Sequence, residues 1–286
     1  MPTISQTHLQ AFRAATYRTS PTPRVTTQEE AIAFVNQRGF VHFWPVKGVT
    51  LPSLWVAVAG DRPVPNAHDD PGHITWRWKD DLLGARCWYY AKVLRRRATF
   101  IAHAVVPYFY ALSENYGEPE QDYLLQYEEG RLTWEAKAVY EALLAEGPLD
   151  SIRLRERAHL GGKSDNTRFN RALEALQVDF KVLPVGVAPV GAWKYAFIYD
   201  LVHRFYPELP EQARPIRQAE ARRQLVEHYL QSVGAVSVRE VAPLFGWSRT
   251  DADAALAALV QRGVASAGVT IEGQAAEAIA LATLID

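Results

Sequence analysis

A series of elements that occurs twice in the second half of the chain constrains the fold more than any other feature. Residues 133–146 show helical spacing and end at Gly147-Pro148, a strong stop signal. A short helix, a turn, a long helix and two strands separated by a Gly/Pro turn are expected up to residue 205. After the proline-rich linker RFYPELPEQARPI, the same series returns in residues 216–286, beginning with a helix over 218–232. A helix-turn-helix followed by a β-hairpin is the element order of a winged helix.

Both copies place a serine before the long helix, so Ser164 and Ser248 are expected to cap it. The sequence therefore predicts a mainly α protein of the α+β class, with tandem winged helix-turn-helix units and small β-hairpin wings. The expected domains are an N-terminal winged-helix-like domain with insertions over 1–132, a second winged helix over 133–205 and a third over 216–286.

The first domain is less regular in sequence. A helix is expected over 27–38, after a start that resembles a capping box, and Gly39 ends it. The aromatic run FVHFWPVKGVTLPSLWVAVAG is broken by prolines and is expected to form short strands or loop. A loop follows in GDRPVPNAHDDPGHI, and residues 95–115 are expected to be helical, with an interruption at Pro107.

Composition excludes several classes of protein. Apolar residues make up 48% of the 286 residues and charged residues 22%, as in ordinary globular proteins. The only cysteine, Cys87, excludes an internal disulfide and is expected to be a buried small residue rather than a nucleophile. No secretory signal and no apolar window of about 18 residues is present, so a cytoplasmic protein without a membrane span is expected. Phosphate-loop, zinc-protease and serine-hydrolase motifs are absent from the sequence.

Charge is balanced over the whole chain but uneven locally. The 31 basic and 32 acidic residues argue mildly against a nucleic-acid partner. Residues 86–97, RCWYYAKVLRRR, nevertheless carry five basic side chains and no acidic one. Such a run, interleaved with aromatics, could bind a DNA backbone and stack on a displaced base, or it could be a solvated face over a core of aromatics. The residues expected to contact phosphate are Arg86, Lys92, Arg95, Arg96 and Arg97.

The long helix of the first copy starts with side chains suited to DNA. In a helix-turn-helix, the first residues of the second helix meet phosphates and base edges. An exposed polar face with a good cap is the alternative interpretation. The residues with this expected role are Lys163, Ser164, Asn166, Thr167, Arg168 and Arg171. The equivalent helix of the second copy carries Asp251 and Asp253, which would repel phosphates, so a packing role is expected there.

The segment HDDPGH offers side chains that could bind a divalent metal. These are His68, Asp69, Asp70 and His73. Asp-Asp-Pro-Gly is also a common turn, and the turn is the favoured interpretation. No metal or cofactor is therefore expected.

Four stretches together resemble a known family. GPLDSIRLRE, NRALEALQVDFKVLPVG, YAFIYDLVHRFYPELPEQARPI and VEHYLQSVGAVSVREVAPLFGW are similar to the tandem winged-helix DNA glycosylases of the AlkZ and YcaQ type. The resemblance covers most of residues 27–263 and is firmest over 133–263. It implies a double-stranded DNA partner and excision of alkylated bases or unhooking of interstrand crosslinks, by hydrolysis of an N-glycosidic bond.

The family's motif lies just after a helix and a glycine and reads Gln, an apolar residue, then Gln or Asp. Here His42 stands where the first Gln belongs and Trp44 stands at the third position. The resemblance implies that His42 would position water, since a neutral imidazole can accept a proton near neutral pH. Trp44 cannot replace a carboxylate and would form a pocket wall or stack on a base.

This departure from the motif leaves other functions open. A catalytically silent DNA-binding regulator or damage sensor is one alternative, and the altered motif favours it. A protein-interaction scaffold is another, since winged helices also dock on proteins and the net charge is −1. Salt-sensitive retention on duplex DNA would separate DNA binding from scaffolding. The lesion and the oligomeric state cannot be predicted.

Overall fold

The fold is mainly helical, with small antiparallel sheets, as the sequence predicts. The computed structural model describes residues 2–20, 22–274 and 276–285, apart from the side chain of Lys163. Within these residues no helix is long and apolar enough to cross a membrane.

The first unit contains a helix, a strand, two further helices and a hairpin. Two elements precede it, β1 (Thr3–Ile4) and α1 (Gln6–Tyr17). The unit itself comprises α2 (Gln28–Arg38), β2 (Phe40–His42), α3 (Leu54–Ala59), α4 (Ile74–Leu82), β3 (Tyr89–Lys92) and β4 (Ala98–Ile101). Its antiparallel sheet has the order β2-β4-β3, so the first strand pairs with the last. The β3–β4 hairpin lies where a wing is expected from the element order, and it is called the first wing below.

Local sequence explains the boundaries of α2 and α3. The Thr27 hydroxyl accepts from the Glu30 amide at 3.2 Å, and Gly39 ends α2 with a φ of +79°. The strand or loop expected after Gly39 is correct for β2 but wrong for Leu54–Ala59, which forms α3. Ser53 caps this helix by accepting from Val56 N at 3.2 Å. A short apolar run buried on most sides has no periodicity that separates helix from strand.

The helix expected over 95–115 is also wrong. Ala98–Ile101 forms β4, the central strand of the sheet, and a helix begins only at α5 (Val106–Tyr110). Pro107 lies in the first turn of α5, where the missing amide hydrogen costs nothing, so it starts this helix instead of interrupting one. α6 (Asp122–Glu128) then leads into the second unit.

The second unit repeats the arrangement. It comprises α7 (Trp134–Glu146), β5 (Leu149–Asp150), α8 (Ser151–Arg157), α9 (Asn166–Val178), β6 (Val182–Ala188) and β7 (Ala196–Leu201). The strand order is β5-β7-β6, and the β6–β7 hairpin is called the second wing below. Ser164 does not cap α9, because a single 3-10 turn, Lys163–Asp165, precedes the helix.

The third unit follows two short helices, α10 (Val202–Phe205) and α11 (Leu209–Ala213). It comprises α12 (Gln218–Val233), β8 (Ala235–Val236), α13 (Val238–Phe245), α14 (Arg249–Gln261), β9 (Ala265–Ile271) and β10 (Glu277–Leu281). Ser248 caps α14, as predicted, by accepting from Asp251 N at 3.1 Å. The sheet order is β1-β9-β10-β8, in which β1 runs parallel to β9.

The N-terminal segment therefore packs mainly on the third unit. The Thr16 hydroxyl donates to the Ser232 carbonyl at 2.7 Å, and Arg13 Nε donates to the Val233 carbonyl at 2.9 Å. The domain limits given above stay a prediction.

Apolar contacts join the units into a common core. One cluster of buried side chains runs from the first unit through α12 to the third, and it includes Phe34, Phe40 and Tyr229. The Tyr89 ring stacks on Phe180 of the second unit, with centroids 4.9 Å apart. Because burial of apolar surface dominates folding, these contacts hold the hairpins of the first and second units in fixed places.

Candidate functional site

A groove of about 1140 Å³ opens between the first unit and the hairpin of the second. One wall comes from the residue after β2 and from α4, and the other from the turn between β6 and β7. Its lining is aromatic with acidic and imidazole groups among the rings, and includes Trp44, Trp76, Asp80, Asp81, Trp193, Tyr195, His68 and His73. Large apolar concavities with a few polar groups are the usual form of ligand sites.

The aromatic rings of the groove contact one another in series. Trp44 lies 5.6 Å from Trp76 between ring centroids, and Trp76 lies 6.0 Å from Tyr195 in an edge arrangement. Trp44 also stacks on Phe43 at 4.8 Å. Trp193, at the tip of the hairpin, is 91% exposed. Several open indole faces offer a stacking surface to a flat ring.

A hydrogen-bond network ties the two walls together at Tyr195. The Tyr195 hydroxyl donates to Asp80 Oδ1 at 2.9 Å, and it accepts from Lys79 Nζ at 2.9 Å and from Trp76 Nε1 at 3.2 Å. Lys79 Nζ also lies 2.7 Å from Asp80 Oδ1. These contacts join α4 of the first unit to the hairpin of the second.

Lys79 is a buried cation at the base of this network. Its side chain is 1% exposed, and its ammonium lies 4.4 Å from the Phe197 ring centroid and 4.8 Å from that of Trp76. Burial lowers the pKa of Lys79, and the neighbouring Asp80 carboxylate opposes that shift. The ammonium therefore depends on Asp80 and the surrounding ring faces for compensation.

The side chain of His42, on β2, is buried and does not line the groove. It is 1% exposed, and neither ring nitrogen has a hydrogen-bond partner among the described residues. Burial lowers the pKa of His42 to about 4, so the imidazole is neutral at pH 7. Because the side chain is closed to solvent, positioning a water molecule would require β2 or its surroundings to move. That role stays a prediction.

Trp44 projects into open space, two residues further along. It lines the groove and, on its other side, a smaller cavity of about 210 Å³ shared with Lys47 and Arg97. The third position of the motif therefore delivers a stacking surface to the groove, although it provides no acid or base. Its catalytic role stays a prediction.

The basic run forms the first wing. Arg95, Arg96 and Arg97 are exposed at the turn between β3 and β4, and Arg95 and Arg96 both have a φ of +55°. Arg86 is exposed and stacks on the Phe205 ring at 4.7 Å, whereas Lys92 pairs with Glu174 of α9 at 2.6 Å.

The aromatics interleaved with this run belong to the core. Trp88, Tyr89 and Tyr90 are buried, so the idea that they stack on a displaced base is wrong. They pack under the β3–β4 sheet, as with Tyr90, whose ring centroid lies 4.9 Å from that of Phe100. In the groove, by contrast, the rings of Trp44, Trp76 and Trp193 are exposed.

The start of α9 is exposed, as a nucleic-acid contact requires. Ser164, Asn166, Thr167 and Arg171 present their side chains to solvent, while the side chain of Lys163 lies outside the described residues. Arg168 is already engaged, since its guanidinium bonds to Glu135 at 2.6 to 2.7 Å and approaches Asp165 at 3.4 Å.

The fold brings α9 and the basic run together. Lys92 N donates to Gln177 Oε1 at 3.0 Å, and Glu174, the ion-pair partner of Lys92, lies one turn after Arg171 on the same helix. The Leu94–Arg96 turn also contacts α9. The second half of α9 therefore contacts the β3–β4 hairpin, and Arg171 lies one helical turn from that contact.

The HDDPGH segment forms a turn. Asp70 pairs with Arg62 at 2.6 and 3.0 Å and accepts from Gly72 N at 2.8 Å, which caps a 3-10 turn. His73 Nε2 lies 3.1 Å from the Pro65 carbonyl. Within the described residues no group of three or more acidic, histidine or cysteine side chains could hold a metal.

Five of the groove residues named above were not predicted from the sequence, namely Trp76, Asp80, Asp81, Trp193 and Tyr195. Trp76 and Asp80 are four residues apart, which puts them on one face of α4, in the segment WRWKDD. GAWKY places Trp193 and Tyr195 at a Gly-containing hairpin turn, where large exposed aromatics are unusual. Both signals were readable, but nothing in the sequence indicated that they would meet.

Two comparisons with known proteins bear on the family and on the fold of this chain. A model of the family described as AlkZ-related matches residues 25–246, from before α2 to the end of α13. The solved structure of the Streptomyces sahachiroi DNA glycosylase AlkZ is similar at 13% identity, with a TM-score of 0.60 over 98% of this chain and 71% of that one. No curated protein sequence matches. The matched segment is most of the chain and includes α4, β2 and the β6–β7 hairpin, and the protein belongs to the AlkZ-related family.

Proposed function

We propose that this protein is a DNA-repair glycosylase that binds duplex DNA and hydrolyses the N-glycosidic bond of a damaged purine. The observation that carries the proposal is the aromatic groove between Trp44, Trp76 and Trp193, which lies next to the arginine-rich wing. Family membership and the likeness to a DNA glycosylase support it. A cytoplasmic location, which suits the unpaired Cys87, is part of the same proposal.

The shape of the groove suits an extruded base. An enzyme that works on a base in a duplex must take the nucleotide out of the stack into a pocket. Ligand sites have volumes of roughly 300–1000 Å³. The groove, at about 1140 Å³, has room for a purine and its sugar, and its open indole faces replace the stacking that the base loses.

The arginine wing suits the DNA backbone. Its three exposed guanidinium groups stand on a turn in which two successive residues, Arg95 and Arg96, adopt left-handed backbone conformations. Such conformations cost on the order of 1–3 kcal/mol each outside glycine and concentrate at functional sites. Arg97 also borders the cavity beside Trp44, so a strand bound by the wing would pass the mouth of the groove.

The near-zero net charge does not oppose this proposal, because phosphate contact depends on local charge. The exposed arginines of the first wing and of α9 are local charges of this kind. The carboxylates of Asp80 and Asp81 lie in the groove, where a base and not a phosphate would lie.

A gel-shift titration followed by alkali treatment tests the proposal. Undamaged duplex and duplex with one 7-methylguanine are titrated with protein, incubated and heated in alkali to cut abasic sites. We expect salt-sensitive binding to both duplexes and strand cleavage of the lesion duplex alone. Trp44→Ala should reduce cleavage, while Tyr116→Ala, at an exposed aromatic outside the groove, serves as the matched control.

A catalytically silent damage sensor is the second candidate function. The observation that favours it is the burial of His42, together with the absence of an acid or base at Trp44. Tight, salt-sensitive binding of the lesion duplex without any cleavage would support the sensor and would contradict the glycosylase.

A further inference from the structure

We propose that Asp80 is the catalytic carboxylate of the groove and that Tyr195 and Lys79 are the residues that position it. The inference rests on the proposed glycosylase function and names the group that the motif residues do not provide. In this proposal the reacting and positioning groups come from α4 of the first unit and the β6–β7 hairpin of the second, and not from β2, which carries His42.

The other groups of the groove cannot accept a proton from water in a fixed geometry. Indole rings are neither acids nor bases near pH 7, and burial together with Asp80 raises the pKa of Tyr195, so its phenol stays protonated. His73 is turned to the Pro65 carbonyl. His68 is exposed on a loop and makes no hydrogen bond among the described residues that would orient it. The carboxylates of α4 remain.

The two carboxylates differ in how they are held. Asp80 has a side chain 20% exposed, and Oδ1 is fixed by the Tyr195 hydroxyl at 2.9 Å and by Lys79 at 2.7 Å. The Asp80 Oδ2 atom has no hydrogen-bond partner in the described part of the chain. Asp81 is 49% exposed and turned outward, toward Gln28 at 3.3 Å and Arg77 at 3.6 Å. Only Asp80 combines a fixed orientation with an unengaged oxygen.

The positioning network depends on both units. Tyr195 belongs to the second unit and its hydroxyl bridges Lys79 and Asp80 on α4, so the geometry of the carboxylate exists only when the hairpin is docked. The Lys79 ammonium is fixed in turn by the ring faces around it. A preorganised carboxylate of this kind needs no reorientation when the substrate arrives.

The chemical step requires water and the damaged nucleotide alone. Asp80 Oδ2 takes a proton from water as the water oxygen bonds to C1′ of the sugar, and the bond from C1′ to the base nitrogen breaks. The electron pair of that bond leaves with the base, which departs neutral when alkylation has given it a positive charge. Asp80 then releases its proton to solvent. The products are the free base and an abasic sugar, and the negative carboxylate also stabilises positive charge on the sugar.

Single-turnover excision of 7-methylguanine from duplex DNA tests Asp80 against a carboxylate outside the groove. We expect Asp80→Asn to lower the excision rate constant about 10²–10⁴-fold, the range of general acid–base catalysis, with the Kd for the lesion duplex within about twofold of wild type. Asp253→Asn, the matched control at an exposed carboxylate of α14 outside the groove, should stay within about threefold. Tyr195→Phe should lower the rate less than Asp80→Asn, because the carboxylate remains and only its orientation loosens.

Further readouts separate catalysis from structure. Formate should raise the rate of Asp80→Ala and leave Tyr195→Phe unchanged. If Asp80→Asn is thermally unstable, formate rescue of Asp80→Ala and the excision rate of Tyr195→Phe still test the catalytic role of Asp80.

The possible failures are distinct. If Asp80→Asn excises within threefold of wild type, or Asp80→Ala shows no rescue by formate, the catalytic role of Asp80 is overturned while the glycosylase function stands. If the folded wild-type protein binds DNA but excises nothing, the proposed function itself is overturned, and the role of Asp80 with it.

Discussion

The wings of the first and second units occupy equivalent places in two similar arrangements, yet their side chains differ in kind. The β3–β4 turn carries Arg95, Arg96 and Arg97, and the β6–β7 turn carries Trp193 and Tyr195. One turn offers charge to a backbone, and the other offers ring faces and a hydroxyl to the groove. The comparison teaches that a repeated fold supplies equivalent positions, whereas the residues at the turn decide what each position can bind.

Removing the charges of the first wing should have the largest effect. The variant Arg95→Ala/Arg96→Ala/Arg97→Ala loses up to three phosphate contacts, each of which contributes about 0.9 to the slope of log K against log salt. We expect a loss of roughly 10²-fold in duplex affinity at low salt and a slope smaller by about 2 to 3. Fluorescence anisotropy at several salt concentrations measures both.

The control for the arginine wing is a triple variant in the third unit, Arg217→Ala/Arg249→Ala/Arg262→Ala, which removes the same charge from exposed positions elsewhere. It should change the affinity less than about threefold. Equal losses in the two triple variants would mean that total charge, and not the wing, determines binding.

We also expect β2, the strand that carries His42, to serve the fold first, and the pH dependence of stability tests this. His42 stays neutral down to a pKa of about 4 in the fold, whereas a histidine in the unfolded chain binds a proton below about 6.5. Between these values the unfolded state holds more protons, so the free energy of unfolding falls as the pH falls. From pH 7 to pH 5 we expect a loss of about 2 kcal/mol from this residue.

Urea denaturation of wild type and His42→Val measures this loss. As the pH drops from 7 to 5, the free energy of unfolding of His42→Val should rise relative to that of wild type. The reason is that valine, unlike histidine, binds no proton in the unfolded chain. His8→Ala, at an exposed position, is the control and should show no relative gain. A pH-independent difference between His42→Val and wild type would contradict the buried, neutral imidazole.

Truncating Trp193 in the second wing should weaken binding of the lesion duplex and leave the salt dependence of DNA binding unchanged. Trp193→Ala removes an exposed ring whose stacking on a base is worth about 1–3 kcal/mol. We expect roughly tenfold weaker binding of a duplex with 7-methylguanine, a smaller change for undamaged duplex, and an unchanged salt slope. A reduced slope would place phosphate, and not a base, against this turn, and the contrast between the wings would fail.

The sequence predicted the repeated units well because their signals are local. Gly147, Ser248 and the spacing of α7 and α12 determine helix limits through neighbouring residues alone. The first unit was harder, since the LWVAVA run is apolar on all faces and β4 is defined by its strand partners. Burial of Trp88, Tyr89 and Tyr90 likewise depends on contacts distant in sequence.

Of the candidate site, the sequence revealed the parts that lie in one segment. The arginine run and Trp44 were identified, and both border the groove or its neighbouring cavity. The network of Asp80 and Tyr195 joins residues 115 positions apart, so it exists only through packing of two units. His42 was predicted from a motif position, but the pleat of β2 directs its side chain inward.

The smallest expected effect compares two arginines of α9. Arg168 is held by Glu135 and Asp165, so contact with a phosphate would first require that pairing to break, whereas Arg171 is exposed without an ion pair in the described part of the chain. Arg171→Ala should weaken duplex binding a few-fold and lower the salt slope by about 1, the effect of a single phosphate contact. Arg168→Ala should leave the slope unchanged, since it removes a charge that Glu135 already neutralises. Anisotropy titrations of both variants decide between them, and a slope that falls for Arg168→Ala but not for Arg171→Ala would mean that DNA competes for Arg168 and that α9 reorganises its ion pairs on binding.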